Sequence, residues 1–393
     1  MRRRMRREDR RVVAVLGFLH GTVHANILSI PVFLLAWQPE FRADNLTLGL
    51  LAASAYIPYG LGAVPFGFLA DGRAPDRLLL LCASGIAGSM AAVAASPSLP
   101  VLAASLGALG LFSSAYHPTG LSVISRTVTE QGRGMGWHGM GGSLGIAAGP
   151  AYVGATLAFG ASWRLVAGSL ILPAVIASVL LLVERLPRGV LTSPAVLGGT
   201  RRGLASRPYG LILLVYMFAG FAYQGGLTFL PRFIGAGFFA AALGLGAVGQ
   251  VLSGTLADRR RPDRTLFALS TAAAGSLAAA GVLLVAGLGP PFLGFTTVAV
   301  GFGFLLFSLE ALQNTLVTRE APREVRGLAF GFTFLSVFGI GAMGATLAGY
   351  LLDRSEAPLL FGLLAGSLAT SGAFAYAAGQ AGGEARSVAG PPR

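Results

Sequence analysis

Four histidines and one glutamate are the side chains here best suited to moving protons or holding a polar ligand. His20, His24, His117 and His138 all fall in the first half of the chain, inside apolar stretches. His20 and His24 are four residues apart, one turn along a single helical face. Glu310 is the acid placed deepest in an apolar stretch. Glu and His have ordinary pKa values of roughly 4.3 and 6.5, and burial or a charged partner moves such groups into reach of proton exchange near neutrality. The histidines have three possible uses: binding a substrate or proton, holding a metal, or making interhelical hydrogen bonds that fix packing. A metal is disfavoured, because no carboxylate or Cys thiolate accompanies them in that half. For Glu310 the packing alternative is a hydrogen bond to Gln313 or Asn314.

Asn26, Tyr56, Tyr59, Tyr116, Tyr223, Gln224, Gln250, Gln313 and Asn314 also fall in apolar segments. Aromatic rings with amides and imidazoles suit an amphipathic small molecule. No Arg lies near the middle of a segment, which argues against a fixed guanidinium clamp for a strongly anionic ligand. HExxH and P-loop patterns are absent, so no enzyme chemistry and no cofactor is indicated.

These residues need elements that tolerate lipid. Hydrophobic residues make up 54% of 393 positions and charged residues 11%, too few charges to solvate a soluble domain of this size. A span takes roughly 20 apolar residues. Twelve such stretches are predicted, near 12–37, 47–70, 78–96, 100–125, 134–158, 164–183, 208–231, 235–257, 265–286, 291–318, 327–352 and 358–379. The chain divides into a basic tail (1–11), a six-helix half (12–183), a linker (184–207) rich in Arg, Pro, Gly and Ser, a second six-helix half (208–379) and a polar tail (380–393). The 57 glycines suit membrane helices that approach one another closely. Cys82 is the single cysteine, so no intrachain disulfide forms.

All 29 basic residues are arginine. Seven precede the first span, and only Arg42, Arg164, Arg232 and Arg354 fall on the opposite side when the spans are alternated. This is the positive-inside pattern. It predicts cytoplasmic termini and explains the charge of +13 by topology rather than by a nucleic-acid partner. All-Arg usage with abundant Ala and Gly fits a prokaryote with GC-rich codons.

The halves repeat one another. GFLADGRAPDR (67–77) follows the second span and GTLADRRRPDR (254–264) follows the eighth, agreeing at most positions. Farther on, Gly110, Arg126, Arg133 and Gly134 correspond to Gly303, Arg319, Arg326 and Gly327 at a slightly larger offset, and that offset aligns Glu310 with His117. Charged loops recurring at matching topological positions are not expected by chance. Parallel halves of this kind mark a large class of membrane carriers.

Gly67, Asp71, Arg73 and Arg77, with Gly254, Asp258, Arg259 and Arg264 as a second copy, resemble the loop motif of the major facilitator superfamily. The resemblance implies an all-α fold of twelve transmembrane helices in two six-helix halves. It implies a secondary transporter that binds its substrate between the halves and acts as a monomer. A carboxylate facing a helix N-terminus is favoured by the dipole, so Asp71 is expected to engage the start of the eleventh helix. Asp258 is expected to engage the fifth near Gly134, with Arg126 and Arg319 as ionic partners. Gly145, Gly149, Pro150 and Gly154 resemble the Gly-Pro motif of antiporter branches. They are expected to form a smooth bent face that seals a cavity.

HGTVHANILSIPVFL (20–34), FSSAYHPTGLSVISR (112–126) and WHGMGGSLGIAAGP (137–150) resemble the fosmidomycin-resistance type of exporter, although the acid associated with the first helix of that type is replaced here by His24, Ala25 and Asn26. The expectation is proton-coupled export of a drug-like or toxic molecule across a prokaryotic plasma membrane. Import of a small organic solute or nutrient is the alternative, ahead of a non-transporting sensor or an intramembrane metalloenzyme.

Overall fold

In lipid every backbone amide and carbonyl must be satisfied within the chain, so apolar stretches of this length become helices. The structure, a computed structural model, describes residues 5–72, 75–129, 131–184, 186, 204–322 and 325–389. Within these ranges the side chains of 71, 72, 125, 131–133, 257–259 and 384–389 fall outside the description. The described residues are all-α, without a strand.

The elements are α1 (Arg7–Phe41), α2 (Asn45–Gly72), α3 (Pro75–Ala95), α4 (Leu99–Ser113), α5 (Tyr116–Thr127), α6 (Gln131–Ala158), α7 (Trp163–Ser169) and α8 (Ile171–Val183) in the first half. The second half comprises α9 (Arg207–Arg259), α10 (Pro262–Val285), α11 (Leu293–Glu320), α12 (Arg326–Phe334), a π-helical segment (Leu335–Ile340), α13 (Met343–Asp353) and α14 (Ala357–Ala389). Ten helical stretches among the described residues are long and apolar enough to cross a membrane. One of the ten, within α9, covers the predicted seventh and eighth spans without an intervening loop. It bends at Gly235, where φ is +76° and ψ 159°, a combination open almost solely to glycine. The fifth predicted span is helical as α6 but is not among the ten, because its glycines dilute its hydropathy. The fourth and sixth spans are each interrupted by a tight turn, at Ser114–Ala115 and Leu170.

The two halves meet along two seams. On one, α2 lies against α12, the π segment and α13. A Cβ on Gly67 would stand 2.6 Å from the Gly327 carbonyl oxygen, one on Gly60 2.2 Å from the Gly339 amide nitrogen, and one on Gly49 2.5 Å from the Ala345 carbonyl oxygen. These contacts admit no side chain along most of the length of α2. On the other seam α6 packs on the second arm of α9. The repeated loops follow the C-terminal ends of α2 and α9.

Several expected contacts change in this setting. Asp71, Arg73, Arg133, Asp258 and Arg259, central to the contacts expected at the fifth and eleventh helices, lie outside the described residues or side chains. The described carboxylate that caps a helix across the halves sits at the opposite end. Asp353, at the end of α13, accepts from the Asn45 amide at 2.9 Å, the Asn45 side chain at 2.7 Å and the Leu46 amide at 2.7 Å. Arg232 also donates to the Asn45 side chain. The smooth face of α6 turns away from the seam. Cβ atoms on Gly141, Gly145 and Gly149 would stand 2.3, 2.1 and 2.5 Å from Gly17, Gly21 and Ala25 of α1, so this stripe joins two helices of one half. Gly154 alone reaches across, to Ala236.

Candidate functional site: a histidine cluster and a bridged glutamate

The glycine contact between α1 and α6 decides where the histidines go. With the two backbones this close, side chains flanking the stripe are pressed into the interior. A Cβ on Gly142 would stand 2.3 Å from the His20 ring, so only glycine leaves room for that imidazole. His20 stacks on His138 of α6 with ring centres 4.3 Å apart. His24, one turn along α1, and His117, near the start of α5, lie 4.7 and 5.0 Å from His20 by the same measure. All four histidines therefore share one cluster, and Tyr116 closes its side at 5.1 Å from His20. Their meeting follows from the folding of α1 against α5 and α6, which joins residues more than 90 positions apart in sequence.

Hydrogen bonds assign protons within the cluster when each imidazole carries one. The Tyr116 hydroxyl donates to the Leu16 carbonyl and lies 2.8 Å from His138 Nε2. With its proton used, it accepts from His138, whose proton is then on Nε2. His20 Nδ1 lies 3.2 Å from the His138 carbonyl oxygen, an acceptor only, so His20 carries its proton on Nδ1. Its Nε2 is a lone pair, 3.0 Å from His24 Nε2, which must donate. His117 Nε2 is buried and has no partner among the described residues. The Nε2 atoms are thus fixed by partners at His138, His20 and His24, and left unpartnered at His117.

An aromatic wall continues from the histidines into the second half. Phe334 lies 4.5 Å from His117, Phe338 4.5 Å from Tyr59, Tyr223 6.1 Å from Phe338 and Phe307 5.6 Å from Tyr223. Phe334 and Phe338 flank and occupy the π-helical segment of the eleventh span, the kind of wide turn that often marks a functional site. The sequence reading passed over both phenylalanines. The available signal was the glycine pair Gly339 and Gly341 beside them. Tyr59 and Gln224 are buried, each with one polar atom unpartnered among the described residues. Tyr56 is buried nearby on α2, and Asn26 is buried on α1 with its amide bonded back to the Thr22 carbonyl at 2.9 Å.

Glu310 sits apart from the histidines. Gln250 of α9 donates its side-chain amide to the Glu310 carboxylate and accepts at its own carbonyl from Ser143 of α6 at 3.2 Å. Neither expected partner holds the carboxylate: Asn314 accepts from Tyr216 at 2.8 Å, and Gln313 is buried without a hydrogen bond to Glu310. Sequence reading reached Gln250 as a polar residue in an apolar stretch but missed Ser143, hidden in the glycine run of α6.

Among the gating candidates, Gly67 and Gly327 pack together as described, whereas Gly254 meets only the Ala311 methyl at 3.8 Å. Arg126 ends α5, Arg77 and Arg264 lie in the first turns of α3 and α10, and Arg326 donates to the Thr318 carbonyl at 2.8 Å. Arg319 lines a polar cavity of about 240 Å³ with Arg261, Asp263 and Glu320. Asp263, in the repeated PDR of the second loop, is buried and paired with Arg261 at 2.9 Å. Pro150 lies within α6 without ending it. A metal was set aside on sequence for want of a carboxylate or thiolate; the donor nitrogens of His20, His24 and His117 nevertheless all lie within 4.8 Å of one another.

The family model of the Major Facilitator Superfamily matches residues 13–346. No curated protein matches the chain. Among solved structures, a bacterial homolog of the human lysosomal transporter Spinster, inward-facing and unoccupied, superposes with a TM-score of 0.74 at 16% identity, covering 99% of this chain and 100% of that one. A peptide transporter in complex with alafosfalin superposes with a TM-score of 0.72 at 15% identity, covering 94% of each chain. At these identities the likeness is one of fold.

Proposed function

This chain belongs to the major facilitator superfamily and is a secondary transporter rather than an enzyme, and on that premise we propose that it exports a small drug-like or toxic molecule in exchange for protons. The observation that carries the coupling is the Ser143–Gln250–Glu310 bridge. It ties the carboxylate of α11 to a helix of the other half, so that gain or loss of the Glu310 proton changes the contact between halves. A protonated Glu310 no longer offers a full negative charge to the Gln250 amide, and charge-assisted bonds are roughly twice as strong as neutral ones. Protonation therefore weakens the α9–α11 bond that orients Gln250 towards Ser143, and so favours rearrangement at the α6–α9 seam; deprotonation restores it.

The substrate surface is the aromatic wall between the histidine cluster and Tyr223. Its rings bind apolar bodies, and the unpartnered atoms of His117, Tyr59 and Gln224 supply polar contacts. Export is supported by the resemblance of Gly145, Gly149, Pro150 and Gly154 to the antiporter motif. The arginine asymmetry supports a prokaryotic plasma membrane with cytoplasmic termini, and the transport unit is taken to be the monomer.

The test is transport in proteoliposomes under an imposed pH gradient of either sign, with a panel of lipophilic inhibitors and of small metabolites. Proton-driven movement of inhibitors towards the acidic side supports the reading. Movement of metabolites alone, in the same direction as protons, or no gradient-dependent movement at all, would overturn it.

A further inference from the structure

We propose that His20, His24 and His117 form a binding site for a borderline divalent transition cation of the Zn²⁺ or Co²⁺ type. Their donor nitrogens lie within 4.8 Å of one another, and the Nε2 atoms of His20 and His24 are 3.0 Å apart. Two imidazoles on one tetrahedral ion, with metal–nitrogen bonds of about 2.0–2.1 Å, place their nitrogens about 3.3–3.4 Å apart. The existing spacing brackets that value, so side-chain rotation alone brings the ligands to the ion.

The surroundings are those of a metal-binding histidine. A ligating imidazole almost always gives its second N–H to a carbonyl or carboxylate, which fixes ring and tautomer. His20 Nδ1 already does this with the His138 carbonyl at 3.2 Å, leaving Nε2 as a lone pair directed at the cluster. His117 Nε2 is buried without a partner, and the His117 side chain is 5% exposed. His24 joins by shifting its proton from Nε2 to Nδ1, with no change in net protonation. His138 is excluded as a ligand because its Nε2 is held by Tyr116. Three neutral imidazoles leave the ion's charge uncompensated, so the fourth position takes hydroxide or an anionic oxygen of a bound solute. This borderline, nitrogen-only set selects against Mg²⁺ and Ca²⁺, which take oxygen ligands.

The experiment is a Co²⁺ titration of the full-length chain, free of any histidine tag, stripped with chelator and held in detergent micelles. One equivalent per chain is expected, with the intense visible absorption of four- or five-coordinate cobalt, bleached by Zn²⁺ and unaffected by Mg²⁺. His117→Ala and His24→Gln, each checked for helical content and elution as a single species, should weaken binding by at least about 10–100-fold, the range that loss of an outer-shell partner already produces. Cys82→Ser should leave the spectrum unchanged. A wild-type chain that binds no stoichiometric cobalt, or only with the pale spectrum of a six-coordinate surface ion, overturns the proposal, as does full-strength binding in both histidine variants. The measurement uses no gradient and no transported solute, so its failure is separate from any failure of the export reading.

Discussion

Ser143 and Gln250 face one another across the seam between the two halves, hydroxyl to amide carbonyl at 3.2 Å, and Gln250 donates its side-chain amide to Glu310. One glutamine thereby reports the state of a carboxylate in one half to a helix of the other.

Glu310→Gln keeps the shape of the side chain and removes its charge and its proton. Gradient-driven flux in proteoliposomes should fall by about tenfold or more, in line with losing a hydrogen bond to a charged group worth ~1.5–3 kcal/mol. The variant should remain a single species in detergent. Undiminished flux would remove Glu310 from coupling.

The bridge makes a second prediction by double-mutant cycle. Ser143→Ala and Gln250→Ala should not add, because each cuts the same chain of bonds. Interhelical polar contacts in membranes are worth about 0.6 kcal/mol on average and up to about 1.7. Ser143→Ala should cost about that much in unfolding free energy, and Gln250→Ala more, since it also strands Glu310. Strict additivity would show that the two contacts are independent.

Four glycines of α6 separate close packing from mere composition. Gly141 and Gly145 touch the α1 backbone, while Cβ atoms on Gly136 and Gly139 would meet nothing within 4 Å. Gly145→Ala should therefore lower the melting temperature and disturb the histidine cluster. Gly136→Ala and Gly139→Ala should be neutral or stabilising by up to about 1 kcal/mol, the helix-propensity difference between the residues. Equal effects at the two kinds of position would contradict the packing described.

At the end away from the termini, Asp353→Ala removes the acceptor of two α2 amides, a loss of about 0.5–2 kcal/mol by analogy with helix caps. Thermal unfolding in detergent should report it. Asp44 supports the same helix start, accepting from the Thr47 amide at 2.8 Å. Hydrogen bonds from the Thr47 side chain and backbone hold its carboxyl below the usual range. A depressed carboxyl stabilises fully above its unfolded pKa and loses that contribution as pH falls through its folded pKa. Asp44→Asn should accordingly lower stability at neutral pH and flatten its fall on the acid side, so that the two profiles converge at low pH.

Membrane residence, an all-helical fold and duplication were legible in residues 67–77 and 254–264 and in the spacing of apolar runs, because lipid leaves the backbone few alternatives and a repeat is a property of the linear chain. The histidines were legible as a set, since a titratable residue in an apolar stretch stands out wherever it folds. Their partners were not. That His20 meets Gly142 and the His138 carbonyl, that Glu310 bonds Gln250 rather than Gln313 or Asn314, and that Asp353 caps α2 all depend on which helix faces meet, and those rotations are set by backbone contacts between glycines far apart in sequence. A glycine stripe announces that some helix will come close, but not which one: the Gly141, Gly145 and Gly149 face went to α1 and not to the seam. Sequence alone thus determined the solvent, the helical class and the repeat, each carried by local composition or by the linear chain. Only the tertiary structure decided which polar atoms share a site, because hydrogen bonds of about 3 Å depend on helix rotation and register that one apolar residue more or less on a face can shift.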